Sequence, residues 1–86
     1  MTAIKVSRTE MVRLTEEQAG SIVTIGFIKK DKSRRFLTGN RRKNAYSKLG
    51  YLLFNDFQDK KDPIKSVDPR TVFSLKTKGL LYELKK

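Results

Sequence analysis

The side chains in this sequence best suited to binding chemistry are the lysines and arginines of residues 29–48. Nine of these twenty positions are basic and only Asp31 is acidic. Phosphates suit such a density of cations, because each neutralised phosphate releases condensed counterions and arginine can grip one at two points. The sequence therefore predicts a local polyanion-binding patch. Its members are Lys29, Lys30, Lys32, Arg34, Arg35, Arg41, Arg42, Lys43 and Lys48.

Aromatic residues are interleaved with this patch. Phe36 lies inside it, Tyr46 follows the Arg-Arg-Lys run, and Tyr51 comes just after it. Rings beside cations can stack on unpaired bases, each stack being worth ~1–3 kcal/mol. We expect Phe36 to face the core while Arg35 points outward, and Tyr51 fits a core position as well as a binding one, so Tyr46 is the better candidate for stacking. Patch and rings together predict binding to DNA or RNA with low sequence specificity.

Most catalytic and metal chemistry is disfavoured by composition. The chain has no cysteine and no histidine, which removes disulfides, thiolate nucleophiles, the usual zinc ligands and the usual general base. Asp56, Asp59 and Asp62 are spaced three apart, but the turn glycine and bidentate glutamate of a calcium loop are missing, so a solvated, charge-balanced loop is favoured. We predict a non-catalytic protein without a metal or another cofactor.

The length and charge of the chain limit the number of domains, the location and the kind of partner. At 86 residues and a formal charge of +11, the chain is expected to form a single domain over residues 1–86 with a thin core. No apolar run is long enough for a signal peptide or a membrane span, so we expect a cytoplasmic protein without membrane contact. A net charge this far from zero destabilises a folded chain through self-repulsion, and it is normally tolerated where the charge favours binding of an anionic partner.

The first element expected is a helical segment over residues 1–20. Ser7 with Glu10, and Thr15 with Gln18, fit the spacing in which a hydroxyl and a side chain three residues later cap a helix start. Gly20 is a plausible stop. The apolar stripe is partial, which indicates a short helix packed on something larger.

A β-hairpin is expected next. Residues 22–30 are rich in β-branched and aromatic side chains, residues 31–33 form a polar turn, and residues 34–38 return as the second strand. Gly39 and Asn40 should end that strand, because both tolerate the left-handed backbone of a turn.

The rest of the chain combines a connection with short strands. Residues 41–50 form a basic connection with room for one or two helical turns, and a loop is expected about residues 59–62. Further strands are predicted at residues 51–54, 64–67, 72–75 and 80–84. Pro69 marks a tight turn, and Lys78 with Gly79 makes the last one. The pattern predicts a mainly β (α+β) fold: a small barrel of about five short antiparallel strands over residues 21–84, preceded by a helix.

The last third of the chain resembles the ending of WYL domains. The likeness rests on Ile-Lys-Ser-Val-Asp-Pro-Arg-Thr-Val-Phe-Ser-Leu-Lys at residues 64–76, followed by Gly79 and Tyr82. In that family a strand, a turn with an Asp-Arg pair and two further strands close an Sm-like barrel. The hairpin over residues 25–37, with its Lys-Lys-Asp turn, is similar to the opening strands of small phage-type members. The likeness covers roughly residues 22–84.

The resemblance implies a ligand and two further contact residues. Larger WYL proteins are transcriptional regulators whose domain is thought to sense a nucleotide or nucleic acid through basic and aromatic residues, which makes Tyr51 and Arg70 candidates here. The alternative is a phage-type modulator that binds an acidic surface of a host protein through the same patch. Sm-like barrels often form rings, but the spacing leaves the oligomeric state open.

Overall fold

The computed structural model describes residues 2–18, 20–46 and 50–85, with the side chains of residues 43–46 outside that description. These ranges hold strands β1 Ile4–Val6, β2 Ile22–Ile28, β3 Arg34–Tyr46, β4 Leu52–Asp56, β5 Ile64–Val67, β6 Val72–Thr77 and β7 Leu80–Leu84, helix α1 Arg8–Glu16, and a 3-10 turn Pro69–Thr71. The prediction of a mainly β chain with a helix near its N-terminus is confirmed.

The strands form one mixed sheet in the order β1-β7-β6-β2-β3-β4-β5. β1 runs parallel to β7, and the other neighbours are antiparallel. The predicted closed barrel of about five antiparallel strands is therefore wrong. The chain crosses from β5 through the 3-10 turn to place β6 beside β2, and β1 continues the sheet beyond β7, so β1 and β5 are left as the two edges of the described sheet.

The cap predicted at Ser7 is present in helix α1, but the helix is shorter than the predicted segment of residues 1–20. Ser7 caps it, its side-chain oxygen accepting a hydrogen bond from the Glu10 backbone N–H at 3.2 Å. Thr15 does not start a second turn, because its hydroxyl lies inside α1 and donates to the Met11 carbonyl at 2.8 Å. Met11 and Thr15 are both fully buried, so an unbroken helix keeps them on one face against the sheet. The chain N-terminal to Ser7, predicted as helical, instead forms β1.

The core lies on the inner face of the sheet, and α1 packs against this face beside β6 and β7. Alternate residues of β2 point inward, as expected for a half-buried strand. The core consists of Val6, Met11, Val23, Ile25, Phe27, Leu37, Leu52, Phe54, Val67, Val72 and Leu75. Within the described part of the chain, no helix has the length and hydrophobicity to cross a lipid bilayer.

Strand β3 differs most from prediction. It pairs Leu37 with Ile25 and Phe36 with Gly26, so Leu37 enters the core while Phe36 projects outward and is 60% exposed. The prediction that Phe36 faces the core and Arg35 points out is wrong. Two adjacent apolar residues satisfy either register, and tertiary pairing with Ile25 selects Leu37.

Gly39 lies inside β3 and does not end it. A Cβ there would come within 1.8 Å of the Asn55 carbonyl oxygen on β4, so the glycine permits close approach of two strands. β3 continues through Asn40 to Tyr46, which replaces the helical turns predicted from residue 41 onward; residues 47–49 lie outside the described residues.

The remaining strands and turns agree with the sequence pattern. Strands β5 and β7 match residues 64–67 and 80–84, while β4 begins and ends slightly later than residues 51–54. Lys78 and Gly79 have φ values of 52° and 78°, as a tight hairpin turn requires. Pro69 occupies the first turn of the 3-10 helix, where its missing N–H costs nothing.

Candidate functional site

A cavity of about 740 Å³ opens between the tip of the β2–β3 hairpin, the start of β4, and β5 with the turn after it. Among the described residues, its lining includes five cations and one carboxylate, that of Asp68; the cations are Lys29, Lys30, Lys32, Arg35 and Lys65. Phe27 and Ile28 supply apolar wall, and Tyr51 adds a half-buried ring. This size suits a small ligand or one unit of a polymer.

The hairpin tip holds three of these cations on an ordered turn. Lys29 donates its backbone N–H to the Ser33 carbonyl, and Lys32 donates to the Lys29 carbonyl, both at 2.9 Å. The Asp31 carboxylate accepts from the Ser33 backbone N–H at 3.0 Å and from its hydroxyl at 2.5 Å. These bonds hold the pKa of Asp31 below its ordinary value. The acid in the patch thus shapes the turn that presents Lys29, Lys30 and Lys32 to solvent.

Arg35 reaches the cavity from the inner face of β3. Its Nη2 donates to the Asp56 carboxylate at 3.1 Å, and that carboxylate is 2% exposed. The other Asp56 oxygen accepts from the Gln58 backbone N–H at 2.9 Å. The pair explains why β3 can turn an arginine inward, because a half-buried charge with a partner avoids much of the desolvation cost.

Lys65 is a cavity residue that sequence reasoning missed. Its ammonium donates to the Asp59 carboxylate at 2.7 Å and to the Asp62 carbonyl. The hydrogen bond from Lys65 is the main reason that the pKa of Asp59 is lowered, and the hydrogen bond from the Asp62 backbone N–H is the next. Among the described residues no group of three or more potential ligands is placed to hold a metal ion. The sequence did carry a signal for the position of Lys65. Alternate residues of a strand share a face, so Lys65 lies on the same face of β5 as the buried Val67.

Asp68 and Arg70 form a two-point ion pair across Pro69. Arg70 Nε and Nη2 donate to the two Asp68 oxygens at 3.1 Å and 3.0 Å, and the Arg70 backbone N–H also donates to that carboxylate at 3.0 Å. These contacts lower the pKa of Asp68, and the pKa of Arg70 is raised, first by Asp68 and then by Tyr51. The two residues implied by the WYL resemblance, Tyr51 and Arg70, therefore interact at the cavity edge.

The structure divides the predicted basic patch. Arg41 is 5% exposed, and its guanidinium donates to the Glu16 carbonyl, so it ties β3 to the C-terminal end of α1. Arg34 and Arg42 are exposed on the outer face of β3, opposite the face that carries Arg35. The side chains of Lys43, Tyr46 and Lys48 lie outside the described residues. The cavity thus gathers part of the patch with residues distant in sequence.

A second arrangement occupies the outer face of the sheet. The rings of Phe36 and Phe73 meet edge to face with centroids 5.7 Å apart, and the Arg34 guanidinium lies 5.2 Å from the Phe73 centroid. Phe73 arrives there through an irregularity in the β2–β6 pairing next to Gly26. That irregularity is not readable from the sequence, which is why Phe73 was missed.

Comparison with protein-family models, with curated proteins and with solved structures finds no match to this chain.

Proposed function

We propose that this protein binds nucleic acid without catalysing a reaction, holding phosphates at the cavity beside the β2–β3 hairpin. The observation that carries the proposal is one concave site whose described lining combines five cations, a single carboxylate and a half-buried tyrosine. Lysines and arginines supply the charge that phosphates need, and a ring with apolar walls supplies a surface for a base.

The lysines at the hairpin tip are the principal phosphate contacts in this proposal. Lys29, Lys30 and Lys32 are exposed, whereas Arg35 and Lys65 each share their charge with a neighbouring carboxylate. Contacts to phosphate carry no sequence information, so we expect low specificity for either DNA or RNA.

Tyr51 and Arg70 complete the proposed interface. Arg70 is exposed and held in a fixed orientation by Asp68, and Tyr51 lines the cavity beside it. A base entering the cavity would lie against the tyrosine while its phosphates remain at the lysine-rich rim. The likeness to WYL domains, which implies the same two residues, stays a prediction.

The test is a salt titration of binding to short single-stranded and duplex oligonucleotides. We expect affinity to fall linearly with salt on a log-log plot. The variant Lys30→Gln/Lys32→Gln should reduce the slope for single strands by about 1.4, because each phosphate contact contributes about 0.7. Affinity that is indifferent to salt, or absent at low salt for every nucleic acid, would rule out the proposal.

A matched control is the variant Lys78→Gln/Lys85→Gln. It removes the same charge, and each pair contains one lysine at positive φ, Lys32 at 72° and Lys78 at 52°. The control lysines are exposed and lie outside the cavity lining. Equal effects of the two variants would mean that global charge, and not the cavity, drives binding. A protein partner retained after nuclease treatment, with no oligonucleotide binding, would instead favour the acidic-surface alternative.

A further inference from the structure

We propose that the outer face of strands β2, β3 and β6 is a second binding surface, which stacks an unpaired base of single-stranded nucleic acid on Phe36. This inference rests on the proposed function for the chemistry of its ligand. It adds a separate site on the opposite face of β3 from the cavity. It also limits the preferred ligand to strands whose bases are accessible.

The geometry of Phe36 is that of a supported platform. Residue Phe36 is 60% exposed, and the edge-to-face contact with Phe73 fixes its ring from one side. A Cβ on Gly26 would lie 2.7 Å from Phe36 Cε1 and 2.8 Å from Phe73 Cζ. The absence of a side chain at Gly26 therefore lets both rings approach the β2 backbone closely, and a base that stacks on Phe36 meets a ring already held in place.

The charge around the rings selects a polyanion. Strands β2, β3 and β6 contain no Asp or Glu in their sequences, and alternation along them places Arg34, Arg42 and Lys76 on the outer face, where all three are exposed. On the same face, the hydroxyl oxygens of Thr24 and Thr38 lie 3.0 Å apart, and the exposed side chains of Ile22 and Ile28 add apolar surface at the two ends of β2. An aromatic centre with cations on the same strands is the composition of a surface that binds single strands. The acid nearest to these strands on this face, Glu83 of β7, lies opposite Ser74 and is paired with Lys5 at 2.9 Å.

The same features disfavour other occupants. A duplex keeps its bases stacked inside the helix, so an exposed ring on a sheet gains nothing from it. A protein that buries Phe36 would also have to cover the guanidinium beside Phe73, and it would find no carboxylate on these three strands to pair with its own cations. Single-stranded nucleic acid offers both contacts, because its bases can stack on the Phe36 ring and its phosphates can pair with the cations.

The two sites are linked through β3 itself. Arg34 and Arg35 are consecutive, so they project to opposite faces, one beside the outer rings and the other into the cavity. A single strand of nucleic acid that uses both sites passes around the edge of the β2–β3 hairpin. Short oligonucleotides should fill one site only, and longer ones should gain affinity by engaging the second.

The test compares Phe36→Ala with the unsubstituted protein on three ligands of about 16 nucleotides: a single strand, the same strand with abasic sites throughout, and a duplex. Stacking predicts a loss of about 5- to 150-fold on the base-bearing single strand, and no change on the abasic strand or the duplex. Phe36→Tyr, which keeps the ring, should retain the affinity. Phe57→Ala is the matched control, because Phe57 is also exposed, at 45%, and is not on these strands.

The outcomes separate this inference from the function beneath it. Normal binding by Phe36→Ala, together with weakened binding by Lys30→Gln/Lys32→Gln, overturns the stacking site and leaves the proposed function standing. Equal losses on abasic and base-bearing strands also overturn it, because the ring would then not act through bases. If the unsubstituted protein binds no oligonucleotide, the proposed function fails and takes this inference with it. Thermal unfolding of each variant verifies that the fold is retained.

Discussion

Replacing Asp56 by asparagine should destabilise the fold strongly, although the change is nearly isosteric. The Asn oxygen can still accept from the Gln58 backbone N–H, which lies 2.9 Å from the carboxylate. The new amide group, however, faces Arg35 Nη2 across 3.1 Å, so two donors meet where a donor met an anion. The side chain is 2% exposed, and water cannot readily replace the lost partner.

The magnitude follows from what is lost at this contact. A charge-assisted hydrogen bond contributes about 1.5–3 kcal/mol, and breaking a fully buried pair costs about 3–5 kcal/mol. The Arg35 side chain is 36% exposed and can recover some hydration, which places the expected cost at about 2–3 kcal/mol. For a chain of this size that corresponds to a fall in Tm of roughly 10–20 °C.

The assay is urea unfolding at neutral pH, with Asp62→Asn as the control. The Asp62 side chain is 83% exposed and its carboxylate lies 4.0 Å from Lys65 Nζ, so its loss should cost less than about 0.5 kcal/mol. Oligonucleotide affinity of the folded Asp56→Asn variant should not fall, because Arg35 keeps its charge and loses a competing anion. Equal stability of the two variants would refute the view that the buried Arg35–Asp56 pair stabilises the fold.

Two other expectations concern the strand approach at Gly39 and the pH dependence of stability. Gly39→Ala should lower the free energy of unfolding in urea by about 3 kcal/mol or more, because its Cβ would meet a backbone oxygen at 1.8 Å. Gly79→Ala is the control: it lies in open space at φ +78° and should cost about 1–2 kcal/mol. A larger loss of stability for Gly79→Ala than for Gly39→Ala would contradict the close-approach argument. The pKa of Asp68 is lowered in the folded state, mainly by Arg70, so its pair contributes stability above the ordinary carboxyl pKa of about 4 and loses it as the pH falls through the lower folded value. The unfolding free energy of Asp68→Asn, measured between about pH 2 and 6, should therefore depend less on pH than that of the unsubstituted protein, and identical profiles would contradict this reasoning.

Local signals in the sequence were reliable where neighbours in the chain decide the outcome. The Ser7 cap, the hairpin turn with Asp31, the Pro69 turn and the Lys78-Gly79 turn each depend on residues within a few positions of one another. Such contacts form from backbone preferences and short side chains. For that reason most strand positions were predictable from the sequence.

Long-range pairing accounts for the errors. The sequence allowed either Phe36 or Leu37 to face inward, and it gave Gly39 two meanings, a turn or a close approach between strands. Each choice depends on a partner more than ten residues away, Ile25 for Leu37 and Asn55 for Gly39. An open edge also cannot be distinguished from a closed barrel by strand positions alone, because closure depends on which strands pair.

For the candidate site, the sequence by itself determined the chemistry: an excess of cations near residues 29–48, aromatic rings among them, and neither cysteine nor histidine. Only the tertiary structure decided where that chemistry lies. It placed the hairpin lysines beside Tyr51 and Lys65 at one cavity, buried Arg41 against α1, and moved Phe36 to the outer face. The physical reason is that residue type fixes charge and ring character, whereas strand register and pairing fix the direction in which each side chain points.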